Sequence, residues 1–212
     1  MASDPAHITT DGHVHDFDLD AGIVALDFAN TLDGRYDPQQ KEQLRDYRDL
    51  LVFSLLAGTL DQSATDRLAE TATRSPDTAA RYLRDARELR ESIFGVFTSI
   101  AAGEEPEQSD LNTLNTFHQR AMSRGKAIYT AEGFDWGWEE DDALDRPLWP
   151  LVKSAIDLLM TGDQRRLREC AADDCGWLFY DTSRNQSRRW CSMQSCGNRA
   201  KVQQFRERQR RA

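Results

Sequence analysis

CAADDCGWLFYDTSRNQSRRWCSMQSCGNRAKVQQFRERQRR, from Cys170 to Arg211, decides how this chain is built. It holds all four cysteines, Cys170, Cys175, Cys191 and Cys196, as two C-x4-C pairs separated by 15 residues. Two disulfides would account for an even cysteine number, but a reducing cytoplasm disfavours them. Close pairs separated by about 15 to 20 residues are the spacing of a tetrahedral four-thiolate zinc site. One structural zinc is therefore the expected cofactor.

The residues between and after the pairs give the module its shape. After Cys175, alternation places Trp177, Phe179 and Asp181 on one face and Leu178 and Tyr180 on the other. SRNQS then reads as a turn and RRWC as a returning strand, so a β-hairpin is expected between the pairs. From Cys196 the pattern turns helical, with Val202 and Phe205 as a narrow apolar stripe. Knuckle, hairpin, knuckle and helix make a treble-clef-like layout. So few apolar residues would not hold it together without metal.

On that helix Arg199, Gln203, Arg206 and Arg210 recur at steps of four, three and four, and share a face expected to lie roughly opposite Val202 and Phe205. Arg188 and Arg189 precede it, and Asn198 and Lys201 flank it. Charge sets this region apart. Residues 163–212 carry 12 Lys/Arg against 6 Asp/Glu, whereas residues 1–162 carry 15 against 30, for a whole-chain charge of -9. Four thiolates and one zinc ion bring the module from +6 to near +4. A basic helix on a small scaffold is an electrostatic footprint for nucleic acid, with arginine suited to guanine edges and Asn198 or Gln203 to adenine. The plain alternative is a solvated helix end whose cations favour its dipole.

All six prolines lie at or before Pro150, and cysteines and excess positive charge begin after Thr161-Gly162-Asp163. The expected boundary lies there: a helical domain over 1–162 and a zinc module over 163–212. The fold class is mainly α with a small β-hairpin. Ser75-Pro76 starts a long amphipathic helix ending near Gly103, carrying Leu83, Ala86, Ile93, Phe97 and Ile100. Shorter helices are expected at 23–32, at YRDLLVFSLL, from Ser63 through Leu68, from about Asp110 to Met122, and at LVKSAIDLLM before Gly162. Ile128, Thr130, Phe134, Trp136 and Trp138 alternate around Glu132-Gly133, an expected hairpin.

At CAADDCGWLFYDTSRNQSRRWCSMQSCGNRAKVQQFRER the chain closely resembles the CGNR zinc finger, whose signature is Cys196-Gly197-Asn198-Arg199 here. LDFANTLDGR and LWPLVKSAIDLLMTGD resemble the ABATE domain that precedes this finger in bacterial proteins. The resemblance implies the four cysteines as zinc ligands, DNA as the partner, and a stress-induced transcription regulator.

Other candidates are fewer. Asp27 and Asn30, with Arg35 nearby, could line a ligand pocket for a small-molecule effector, although a buried Asp with an Arg partner is more often structural. His7, His13 and His15 sit in a polar N-terminal segment, and His118 borders a helix's apolar face. Trp136, Trp138 and Trp149 suit core or hairpin packing, and the acidic 139–145 run suits a solvated loop. Zincin, P-loop, dinucleotide and nucleophile-elbow motifs are absent, so no enzyme is expected. Nor is there a secretory leader or a membrane-spanning run, so a cytoplasmic protein is expected. The functional expectation is a zinc-dependent DNA-binding transcription regulator, with the helical domain sensing a signal or mediating oligomerisation. A homodimer would supply the specificity one small module lacks. Alternatives are a protein-interaction adaptor with purely structural zinc, an RNA-binding protein, and, least favoured, an enzyme.

Overall fold

The computed structural model describes residues 6–10, 13–138 and 141–211, with side chains from Phe17 onward except those of Gln204, Glu207 and Arg211. It opens with an antiparallel pair, β1 (Ala6–Thr10) and β2 (His13–Phe17), in the register Ala6↔Phe17. His7, His13 and His15 fall on these strands; their side chains lie outside the described residues.

Next comes α1 (Val24–Ala29), then a short pair, β3 (Leu32–Asp33) with β4 (Lys41–Glu42). Ala25 through Ala29 of α1 are all buried, Asp27 included, because the helices Pro76–Ala102 and Leu148–Thr161 and the strand Leu178–Tyr180 enclose it. The expected run to residue 32 stops early. Asn30 caps the helix and Thr31 turns its hydroxyl back to the Phe28 carbonyl.

α2 (Tyr47–Leu56) starts with a capping box: the Asp46 side chain accepts from the Asp49 amide, and Asp49 returns the bond to the Asp46 amide. α3 begins behind the Asp61 cap and spans Gln62–Arg74, well past Leu68. The helix-compatible AETATR continues it until Ser75-Pro76 forces a new start. α4 (Pro76–Ala102) has Pro in its first turn and Gly103 at φ +77 as its left-handed stop. Leu83, Ala86, Leu89, Ile93, Val96 and Phe97 form its buried stripe.

α5 (Gln108–Met122) packs along α4 and buries Leu114, Phe117 and Ala121; His118 is half-buried. β5 (Gly125–Thr130) and β6 (Gly133–Trp138) form the expected hairpin. Its tip is exposed, with Tyr129 and Phe134 stacked edge-on at 5.2 Å. The acidic loop after it is tied down in part: Asp141 pairs with Arg124, Asp142 with Arg67, and Leu144 is buried. Glu139 and Glu140 lie outside the described residues. α6 (Leu148–Thr161) closes at Gly162 and buries Trp149.

Beyond the Thr161-Gly162-Asp163 joint, β7 (Leu167–Glu169) pairs antiparallel with β8 (Leu178–Tyr180). This corrects the expected hairpin. The partner of the LFY strand lies before the first cysteine pair, so the knuckle is the hairpin's own loop. RRWC is not a strand. The Asp181 carboxylate accepts from the amides of Ser183 and Arg188, closing that loop on itself, and Arg189 contributes one backbone bond, to Ala171.

The other edge of β8 docks on the helical part. The Tyr180 amide donates to the Ala21 carbonyl, and Asn30 pairs with Leu178. Leu167, Trp177, Leu178 and Phe179 share one hydrophobic core with α1 and α4. Each such burial stabilises by roughly 1.5–3 kcal/mol. The change in composition at residue 162 is thus not a change in packing.

The chain ends in α7 (Asn198–Arg211), which packs on the turn before it, Met193–Gly197. Val202 and Phe205 are 49% and 61% exposed, so the expected apolar stripe is largely open to solvent among the described residues. Val202 also lies only about 60° around the helix from Arg199, and lines the basic groove instead of opposing it.

Candidate metal centre and basic helix

Two backbone turns bring the cysteines together. Cys170 follows β7 directly, and its amide donates to the Trp177 carbonyl across the hairpin. Gly176, at φ +71, returns the chain into β8; a Cβ there would sit 2.9 Å from that of Arg35. Cys191 enters the second turn, capped by Ser192, whose hydroxyl accepts from the Gln194 amide. Cys196 ends that turn just before α7.

All four thiols are free and buried, with their sulfurs within 4.8 Å of one another. Cys175 to Cys191 is 3.7 Å and Cys191 to Cys196 is 3.6 Å. A tetrahedral zinc with bonds of about 2.3 Å spaces its sulfurs about 3.8 Å apart, whereas a disulfide needs about 2.05 Å. The donor set therefore fits one structural zinc. Hydrogen bonds from Cys175 and Cys191 push the Cys170 thiol far down, while hydrogen bonding to Cys170 and burial push Cys175 and Cys191 up. A divalent cation lets all four ionise together.

Lys201, Gln203, Arg206 and Arg210 are exposed on α7; Arg199, Gln203, Arg206 and Arg210 line a groove of about 710 Å³ with Gln194, Asn198 and Val202. Arg189 is exposed beside the Trp190 ring. Arg188, Asn198 and Arg199 also bond within the fold. Arg188 donates to the carbonyls of Asp20, Trp190 and Cys191 and lies over the Phe179 ring, strapping the module to the segment before α1. The Asn198 amide donates to the Gln194 carbonyl. Arg199 bonds Asp174 and the Cys196 sulfur.

A model of the CGNR zinc finger matches residues 166–209, and a model of ABATE, described as "putative stress-induced transcription regulator", matches residues 22–162. The chain belongs to the ABATE family. It carries a CGNR zinc finger after the ABATE region. A search of curated proteins finds no match. Both descriptions concern regulation and metal binding, not catalysis.

In the ABATE motif LDFANTLDGR the suggested ligand residues are occupied with the fold. Asp27 accepts from the Ala21 amide, and burial pushes its carboxyl up to about 7. It does not pair with Arg35. Arg35 instead binds Glu91 at 2.7 Å and the Ala29 carbonyl, and lies 3.6 Å over the Phe94 ring. Asn30 spends its amide on Leu178.

Sequence reasoning missed a buried ion network beside the finger. Arg90 is 3% exposed and holds Glu42 at 2.6 and 2.7 Å and Glu91 at 2.9 Å. Through Glu91 it reaches Arg35, whose backbone amide donates to the Cys175 carbonyl. Burial raises the Glu91 carboxyl, but hydrogen bonds and charge from Arg35 and Arg90 bring it below its ordinary value. The one available signal was an Arg at the centre of an otherwise apolar helix stripe.

Trp136 and Trp138 line a groove of about 400 Å³ with α6, while Trp149 is core. No helix among the described residues is long and apolar enough to cross a membrane.

Proposed function

We propose that this ABATE-family protein is a zinc-dependent DNA-binding transcription regulator. The zinc, held by Cys170, Cys175, Cys191 and Cys196, fixes the start of α7, and α7 meets the duplex. One observation carries the reading: Lys201, Arg206 and Arg210 are exposed on a helix anchored at a thiolate cluster, in a chain of net charge -9. Exposed cations on a rigid helix release counterions on binding phosphates. From the groove they both line, Gln203 would meet base edges and Val202 the thymine methyl. Residues 1–162 act as the sensing or oligomerising part, and two copies would give the contact area that one finger lacks.

The experiment is binding of zinc-loaded full-length protein to duplex DNA across a salt series, with RNA as competitor. Salt-sensitive duplex binding lost on zinc removal supports the reading, and no duplex binding near 100 mM salt overturns it. A preference for RNA would move the function to RNA binding. A second reading, a protein-interaction adaptor, is favoured by the exposure of Met193, Val202 and Phe205 at 52%, 49% and 61%.

A further inference from the structure

The signature Arg199 makes three contacts, all inside the finger. Its Nη1 donates to Asp174 Oδ2 at 2.8 Å, and its Nη2 donates to Asp174 Oδ1 at 3.2 Å and to the Cys196 sulfur at 3.1 Å. Asp174 belongs to the first cysteine turn, immediately before Cys175, whereas Arg199 belongs to the first turn of α7, three residues after Cys196. The pair thus bridges the two halves of the thiolate cluster, along a groove that Cys175, Cys191 and Cys196 also line.

We infer that Arg199 is a positioning residue for the metal and not a reader of nucleic acid: it locks the two cysteine turns together through Asp174 and takes negative charge from the Cys196 sulfur. This rests on the zinc reading. The chemistry calls for arginine. A planar guanidinium meets a carboxylate with two parallel bonds and still directs a third N–H at sulfur; an ammonium on a flexible stem does not. The side chains of Arg199 and Asp174 are 58% and 44% exposed, and so exposed an ion pair contributes little by itself. Its effect comes from where it sits. Four thiolates on one zinc leave a net -2, and a cationic N–H on one sulfur offsets part of it, which opposes departure of that ligand.

The test uses full-length protein loaded with zinc, and separately with cobalt, as parent, Arg199→Lys, Arg199→Gln and Asp174→Asn. Outer partners of metal ligands typically change metal affinity by about 10- to 100-fold. Arg199→Lys should therefore release zinc to excess chelator at least about tenfold faster and shift the sulfur-to-cobalt charge-transfer band. Asp174→Asn should speed release while keeping the band near parental, because the Arg199–Cys196 contact remains. At full zinc occupancy, Arg199→Gln, which removes the charge, should keep the parental salt dependence on duplex DNA. Parental release rates and band in Arg199→Lys and Asp174→Asn overturn the inference, as does a salt slope reduced by about one in Arg199→Gln. A parent that takes up neither metal fails the zinc reading instead.

Discussion

Asn30 pairs with the backbone of Leu178 on both sides: its Nδ2 donates to the Leu178 carbonyl and its Oδ1 accepts from the Leu178 amide, each at 2.9 Å. One side chain at the end of α1 thus stands in for a neighbouring strand along the edge of β8. Both backbone groups are buried, and leaving a buried polar group unpaired costs roughly 1–3 kcal/mol. Asn30→Ala should destabilise the full chain by about 2–5 kcal/mol, read as a lower urea midpoint. Asn30→Asp keeps the acceptor but sets a carboxylate against a carbonyl, and should be as harmful. A midpoint within experimental scatter of the parent would show that this bond does not hold the finger to α1.

The same docking governs truncation. Composition suggests that residues 1–162 fold by themselves, yet Leu167, Trp177, Leu178 and Phe179 fill the core beside α1 and α4. Their burial, at roughly 1.5–3 kcal/mol each, is comparable with the whole stability of many domains. A chain ending at Gly162 should keep helical signal but melt at a much lower temperature and bind a hydrophobic dye. Parental melting would mean that the helical part re-closes over the exposed face.

Cysteine replacement follows from the same coupling. Cys191→Ser or Cys196→Ser should lower zinc from about one per chain toward none, because three thiolates no longer close a structural site. Because β7 and β8 pack on α1 and α4, the loss should also lower the melting temperature of the helical part, and chelator added to the parent should reproduce it. Full zinc content in either variant would remove that cysteine from the ligand set.

Asp27 predicts a pH effect of defined sign. Its carboxyl is raised from 3.8 to about 7, chiefly by burial, so the folded state holds a proton there that the unfolded state releases. Below about pH 4 the group is protonated in both states and costs nothing; as pH rises to about 7 it draws stability down, and above that the penalty is constant. Asp27→Asn keeps an acceptor for the Ala21 amide without the charge. It should match the parent near pH 4 and exceed it near pH 8. A gap that does not widen between these values would refute the assignment.

What the sequence could show depended on the range of the interactions. Ser75-Pro76 and Gly103 bound α4 by local chemistry alone, and both ends were legible. Cysteine spacing needs no knowledge of the rest of the chain, so the cluster was legible too. Strand pairing is not local. LFY could pair forward with RRWC or backward with LRE, and the choice was made by the loop-closing Asp181 together with Asn30 and Ala21, and no sequence spacing connects the last two to it. The Arg199–Asp174 contact was not legible for the same reason: helical periodicity puts Arg199 on the basic face, whereas Asp174 lies 25 residues earlier.

Arg206 separates the proposed DNA contact from mere surface charge. It is exposed on α7 within the groove lined by Arg199, Gln203, Val202 and Arg210, and among the described residues it makes none of the bonds by which Arg188 and Arg199 hold the finger together. A phosphate contact adds about 0.9 to the slope of log affinity against log salt, so Arg206→Gln should weaken binding to every duplex about equally and lower that slope by about one. Arg74→Gln, at the end of α3 in the acidic region, removes the same charge and should leave both quantities near parental. Gln203→Ala should instead weaken binding to some sequences more than others, since a base-edge bond is worth about 1–3 kcal/mol of discrimination. If Arg206→Gln and Arg74→Gln, both zinc-loaded, changed binding equally, the contact would be net charge and not this helix. Exposed Val202 and Phe205 would then be read as the surface of an adaptor.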